Sequence, residues 1–264
     1  MFYKMLKKDL SIALSYKFSF FSQFLFTIFQ IIFIYYISLF VGNLEIYDNI
    51  SLTYFHYVIF GMCFTDILIT ITTHCPREIL NYKYSGIFEE IVSLKQNFYE
   101  VIFSIGLYSI FISLIKLIIY IVVSSILIVD FIIVIFYFIE IFLTIILLIL
   151  SFLLISILAS SYTIVFLKVG FIPTLFLLFS VIFGNAYFPN EILPEFLSSL
   201  SKLTTFTYGI ENIRMIQMEQ IDYKKFYENI FWMTILNTIY FFLGYFFINK
   251  SIKFAKKNGT LLQY

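Results

Sequence analysis

Charge is what this chain has least of: Asp, Glu, Lys and Arg make up 12% of its 264 residues, about half the share of an ordinary soluble protein. With 61% of residues hydrophobic, a water-soluble fold is excluded. Nine Gly and four Pro exclude collagen-like and low-complexity chains, and two Cys exclude a disulfide scaffold. No Gly-x-x-x-x-Gly-Lys-Ser/Thr phosphate loop occurs, so the chain cannot cradle a nucleotide in that way. The motifs of intramembrane enzymes are missing too. There is no Gly-x-Ser-x-Gly, and Glu89-Glu90 is followed by Leu94 where a membrane protease of the Glu-Glu-x-x-x-Arg type would need Arg.

What is present is Ile, Leu, Phe and Tyr in long runs, with the charges between them. Such a division is selected by a bilayer rather than by a soluble core. The first run, 18–41, holds no charge over 24 residues, about 36 Å of helix, which is too long for the apolar part of a signal peptide. Further spans are expected near 55–74, 101–124, 131–155, 170–187 and 230–249, with Asp130 at a tight turn between the third and fourth. The expected fold is an all-α membrane protein with six transmembrane helices. It forms a single transmembrane domain over 1–264, with an interface helix over 1–17, a cytoplasmic segment over 76–98 and an outer segment over 188–228.

Twelve Lys and Arg fall on the side shared by the N-terminus, the 75–100 loop, Lys168 and the C-terminal tail, against four on the other side. Both termini are therefore expected in the cytoplasm, with the protein in the cell membrane. Acidic residues run the other way, five inside and nine outside, so a net charge of +1 hides a dipolar chain.

Three gaps are more than loops. Residues 2–17 place Phe2, Leu6, Leu10, Ala13 and Leu14 on one helical face and Lys4, Lys7, Lys8, Ser11 and Ser15 on the other, the pattern of a basic helix lying on a leaflet. The gap 75–95 reads as two short helices hinged at Gly86, the second with Ile87, Phe88, Ile91, Val92 and Leu94 on one face and Glu89, Glu90, Ser93, Gln96 and Asn97 on the other. That helix can dock a soluble partner or simply join two spans. In 184–229, Asn190 can cap a helix carrying Ile192, Phe196, Leu197, Leu200 and Leu203. A second begins near Thr207, with Glu211 and Arg214 at i,i+3 spacing. Two amphipathic helices there predict a segment that dips back into the outer leaflet.

Asp66, Lys116 and Glu140 lie within the expected spans. Counted from the outer ends, all three fall roughly 12 to 17 Å deep, so a Lys116 pair with Glu140 or Asp66 is the economical structural account. A polar lining that contacts substrate is the alternative. His56 and the His74-Cys75 pair stand at opposite ends of one span, about 27 Å apart, so no metal site is expected, and Cys63 and Cys75 are not expected to pair.

The stretch Tyr187-Phe188-Pro189-Asn190-Glu191-Ile192-Leu193-Pro194-Glu195-Phe196-Leu197, continuing to Thr207-Tyr208-Gly209-Ile210-Glu211-Asn212-Ile213-Arg214, resembles the permease subunits of ABC-2-type exporters. That family carries a Phe-Pro, a following Leu-Pro and a Thr-Tyr-x-x-Glu-x-x-Arg-like stretch before the last span. Gly86-Ile87-Phe88-Glu89 looks like its Gly-Thr-Leu-Glu coupling motif, following Arg77-Glu78 as the family's Arg-Glu often does. Two places depart from the pattern: Thr205-Phe206 stands where a Pro is common, and no Pro follows at Leu94-Lys95.

The resemblance implies the transmembrane half of an ATP-driven exporter, not itself an enzyme. A separate ABC ATP-binding subunit would hold the ATP and Mg, and a second permease copy or a similar permease would complete the pathway. Arg77, Glu78, Gly86, Phe88, Glu89 and Glu90 would meet the ATPase. Phe188, Pro189, Pro194, Tyr208, Gly209, Glu211 and Arg214 would line or gate the outer exit. An ion-coupled carrier using Asp66, Lys116 and Glu140 as its relay is the competing reading. Glycans, drugs, peptides and lipids all remain open as cargo.

Overall fold

Inside hydrocarbon a backbone N–H or C=O finds no water, so a long apolar segment must close its hydrogen bonds within a helix. The computed structural model describes residues 2–41, 43–47, 50–93, 98–127, 137–187, 194–218 and 221–257. In chain order they form α1 (Phe2–Ser15), α2 (Lys17–Val41), β1 (Asn43–Tyr47), β2 (Ile50–Thr53), α3 (Tyr54–Tyr84), α4 (Ile87–Ser93), α5 (Phe98–Leu127), α6 (Phe138–Phe166), α7 (Phe171–Phe183), α8 (Glu195–Ser201), α9 (Thr205–Gln217) and α10 (Tyr223–Lys257). Five of them, α2, α3, α5, α6 and α10, are long and apolar enough to cross a bilayer. The architecture is that of a multi-pass helical membrane protein.

The expected span at 170–187 is α7, whose 13 residues reach about 20 Å, short of a hydrocarbon layer. Residues 43–47 and 50–53, expected to be part of a plain gap, pair as antiparallel strands with Leu44 opposite Leu52. The turn expected at Asp130 lies outside the described residues.

α3 stands at the centre. It packs on α6 and α5, while α10 covers the far side of α6 and α2 lies against both α5 and α3. Toward the β1–β2 end, Phe55, Val58, Phe64 and Leu68 of α3 meet Leu148, Phe152 and Ile155 of α6 and Phe206 and Ile210 of α9. A second apolar cluster closes the opposite end, where Ile79 and Tyr82 of α3 join Phe88 and Ile91 of α4, Ile164 of α6 and Ala255 of α10. The outer helices leave Phe21, Phe29 and Phe33 of α2 and Phe241, Phe242 and Phe246 of α10 exposed, apolar surface that suits lipid.

α3 does not stop at residue 74. It continues through Pro76 to Tyr84, so the first of the two short helices expected in 75–95 is the end of α3. Proline removes the hydrogen bond that would reach Thr72. Burial of Ile79, Tyr82 and Lys83 on the far side of the proline holds the helix together. The hinge itself is where the sequence puts it: Gly86 has φ +75°, a conformation that only glycine adopts at little cost.

Candidate functional site

A polar slot runs along the α1, α2, α3 and α5 side of the bundle. Asp66, Thr70, Thr73, His74, Arg77 and Glu78 of α3 all line it, at spacings of three and four that put them on one helical face. Tyr108, Ser109 and Lys116 of α5, Ser19, Phe20 and Gln23 of α2, and Asp9 of α1 complete the walls around about 600 Å³. From Asp66 to Glu78 along α3 is about 18 Å.

The deep end is held by an ion pair. Lys116 Nζ lies 2.8 Å from Asp66 Oδ1 and donates to Thr70 Oγ1 at 2.8 Å, while the Thr27 hydroxyl donates to Asp66 Oδ2 at 3.3 Å. A charge within a bundle persists when it is paired and its remaining lone pairs are bonded, and both conditions are met. Of the two partners open to Lys116, the structure selects Asp66. Glu140 is elsewhere: α6 begins at Phe138 rather than near 131, so Glu140 sits in its first turn, where a carboxylate complements the helix dipole. The common depth expected for all three charges rested on a helix start that was too early.

Near the opposite end of the slot, α1 is fastened by its charges. Lys8 Nζ donates to the Tyr82 hydroxyl at 2.7 Å and lies 3.0 Å from Asp9 Oδ1. Asp9, which helical spacing puts beside Phe2 and Leu6, is only 6% exposed, while Ile12 and Leu14 are exposed. Burial pushes the Asp9 carboxyl above its usual range against the pull of Lys8. Burial also opposes the charge on Lys8, but its bonds to Tyr82 and Asp9 prevail and its pKa rises.

The expected coupling residues divide between two helices. Arg77 and Glu78 belong to the slot face of α3. On α4, Phe88 is fully buried, Ile91 joins it, and Glu90 and Ile87 face outward with Glu89 half-buried. Phe88 therefore anchors α4 rather than meeting a partner. Its companion Lys83 donates to the Ile164 carbonyl of α6 at 2.7 Å, with its ammonium 5.6 Å from the Phe88 ring.

In the segment before α10, Phe188 and Pro189 lie outside the described residues, as does the Asn190 cap. Pro194 precedes α8. Phe206, at the start of α9, packs on Phe152 midway along α6, whereas the other end of α9 reaches the first turn of α3, where Gln217 donates to the His56 carbonyl at 2.8 Å. α9 thus climbs from mid-bundle to the β1–β2 end. The Tyr208 hydroxyl donates to the Lys202 carbonyl at 3.1 Å, and Gly209 passes the side chain of Leu148 so closely that a Cβ would collide with it. Glu211 pairs with Lys225 at 2.6 Å rather than serving only a neighbour on its own helix. The Arg214 guanidinium lies 3.7 Å from the centre of the Tyr57 ring, and its Nη2 points at the Tyr57 and Ala186 carbonyls at 3.4 Å.

The slot was missed at the level of sequence, although its signal is there: Asp66, Thr70, Thr73, His74, Arg77 and Glu78 form a polar stripe of helical period in an apolar span. No protein-family model matches the chain, and no curated protein does.

Proposed function

We propose that the chain is the membrane permease subunit of an ABC-2-type exporter, forming the substrate path and taking its energy from a separate ATP-binding subunit that holds ATP and Mg. In this reading α7 with α8 and α9 makes the sixth crossing, both termini are cytoplasmic in the cell membrane, and two copies, or this chain and a similar one, enclose the path. Glu89 and Glu90 of α4 are the contact to the ATPase. The observation that carries the reading is the mounting of α4. A short helix keeps an acidic edge outward while its Phe88 is buried in the cluster that holds Ile79 and Tyr82 of α3 and Ile164 of α6, and Lys83 of α3 ties those two helix ends together, so a push on α4 is delivered to two long helices at once. The climb of α9 from mid-bundle supports an outer gate formed by Tyr208, Gly209, Glu211 and Arg214.

The test is a mild-detergent pull-down of the tagged chain from its native membrane, with mass spectrometry and an ATPase assay on the eluate. A phosphate-loop ATPase recovered in stoichiometric amount, and lost on Glu89→Lys with Glu90→Lys, is the expected result. Recovery of the chain alone without ATPase activity overturns it.

The titratable lining of the slot favours a second reading, an ion-coupled carrier with Asp66 and Lys116 at its centre. Transport that collapses with the proton gradient and ignores ATP depletion is the result that selects it.

A further inference from the structure

We propose that the slot between α1, α2, α3 and α5 is a binding site for a drug-sized organic monocation, with the cationic centre held by Asp9 and Glu78 and the body lying along Phe20 and Tyr108. The proposal concerns binding, and it holds whether an ATPase or an ion gradient drives the chain.

Size comes first. Cavities that enclose drug-sized ligands run from about 300 to 1,000 Å³, and this one holds about 600 Å³. Its chemistry follows from which groups are already used. The deep amine is spent, since Lys116 bonds Asp66 and Thr70. The amine beside Asp9 is spent as well, since Lys8 bonds Tyr82 and one oxygen of Asp9. Carboxylate capacity is left over. Asp9 Oδ2 is buried with no hydrogen-bond partner among the described residues, and Glu78 gives one oxygen to the Asn81 amide at 3.1 Å and keeps the other.

A buried carboxylate oxygen without a donor is costly unless a donor or a positive charge comes to it. The Arg77 side chain, the remaining basic group of the lining, is exposed at the edge. Aromatic faces add to the preference for positive charge, because Phe20, Tyr16 and Tyr108 line the walls and ring quadrupoles attract cations. His74 lies against Tyr108 with 4.8 Å between ring centroids, and its Nε2 is also buried without a partner. The slot therefore presents two carboxylates with spare acceptor capacity beside π-faces, while its deep amine is already committed. A phosphate or a carboxylate seated against Asp9 and Glu78 would face like charge.

The experiment uses two ions of nearly the same size and shape and opposite charge, tetraphenylphosphonium and tetraphenylborate. Each is radiolabelled and equilibrated by dialysis against the full chain in lipid nanodiscs, with empty nanodiscs as the blank. Saturable binding of one tetraphenylphosphonium per chain, with tetraphenylborate no higher than the blank, is expected.

Glu78→Gln should weaken the cation by about tenfold, a loss of about 1.4 kcal/mol. Thr73→Phe should abolish binding by filling the slot. Neither substitution breaks a contact between helices, since Glu78 bonds Asn81 within α3 and the Thr73 hydroxyl donates to Ile69 one turn back. Equal uptake of both ions overturns the proposal, and so does wild-type binding in either variant. Cation binding without any co-purifying ATPase would leave this site standing and remove the exporter reading instead.

Discussion

The backbone carbonyl of Ala186 occupies the space into which a side chain on Gly61 would project. Glycine is required there because the chain leaving α7 crosses α3 in direct backbone contact. Gly61→Ala should destabilise the protein by about 1–3 kcal/mol, as overpacking against an element that cannot move aside. Gly209→Ala meets the Leu148 side chain at its Cγ and both methyls, which can turn aside where a backbone carbonyl cannot, and should cost less. Thermal unfolding of both variants in one detergent checks the order, and equal midpoints would contradict it.

Lys116→Ala should be far worse than its charge count suggests. It leaves the Asp66 carboxylate within the bundle without its partner, a loss of about 3–5 kcal/mol. Adding Asp66→Asn should recover most of that, because the amide needs no counter-charge. Folded yield and thermal midpoint of the two single variants and the double form the cycle. A double variant as unstable as Lys116→Ala would mean that the pair does something other than neutralise itself.

Lys83→Met keeps the length and apolar stem of the side chain but removes its donor to Ile164. A hydrogen bond from a charged donor contributes about 1.5–3 kcal/mol, and the loss should appear locally. Amide exchange within residues 87–92 should accelerate about tenfold or more while α9 is unchanged. Uniform acceleration across the chain would show that Lys83 supports the whole fold and not the mounting of α4.

The docking of α1 should weaken as pH rises from acid toward neutral. The Asp9 carboxyl is raised by burial, so the folded protein holds this proton more tightly than the unfolded chain does. An acid shifted in this direction stabilises below its unfolded pKa and loses that contribution as pH climbs through its folded pKa. Lys8 is shifted upward from a value already above 10 and stays charged throughout. Asp9→Asn should flatten the dependence of thermal midpoint on pH between 4 and 7 and raise it at neutral pH. An unchanged slope would place the titrating group elsewhere.

Membrane class, the hinge at Gly86 and the two amphipathic helices before the last span were legible in the sequence, because composition, glycine geometry and helical periodicity are local properties. What was not legible depended on partners. Nothing in Cys75-Pro76-Arg77 says that α3 continues, since burial of Tyr82 and Lys83 against distant helices outweighs the proline. Phe88 looked like a docking residue because a helix face does not announce which protein covers it. Glu140 was assigned a depth from hydropathy, which locates the middle of a span far better than its ends. The polar stripe of α3 could have been read from spacing alone, but the walls contributed by Gln23, Ser109 and Asp9 become neighbours only through packing.

Pro76 gives α3 one further property. Without a donor to Thr72 the helix lacks a rung at the junction between its membrane-buried length and the stretch that ends at α4. A bend at that junction would make the nine residues from Pro76 to Tyr84 a lever arm about 12 Å long. A bend of ~10° there swings the far end by about 2 Å. Because Arg77 and Glu78 sit just beyond Pro76 and Asp66 and Thr70 before it, such a bend would displace α4 and shear one end of the slot against the other.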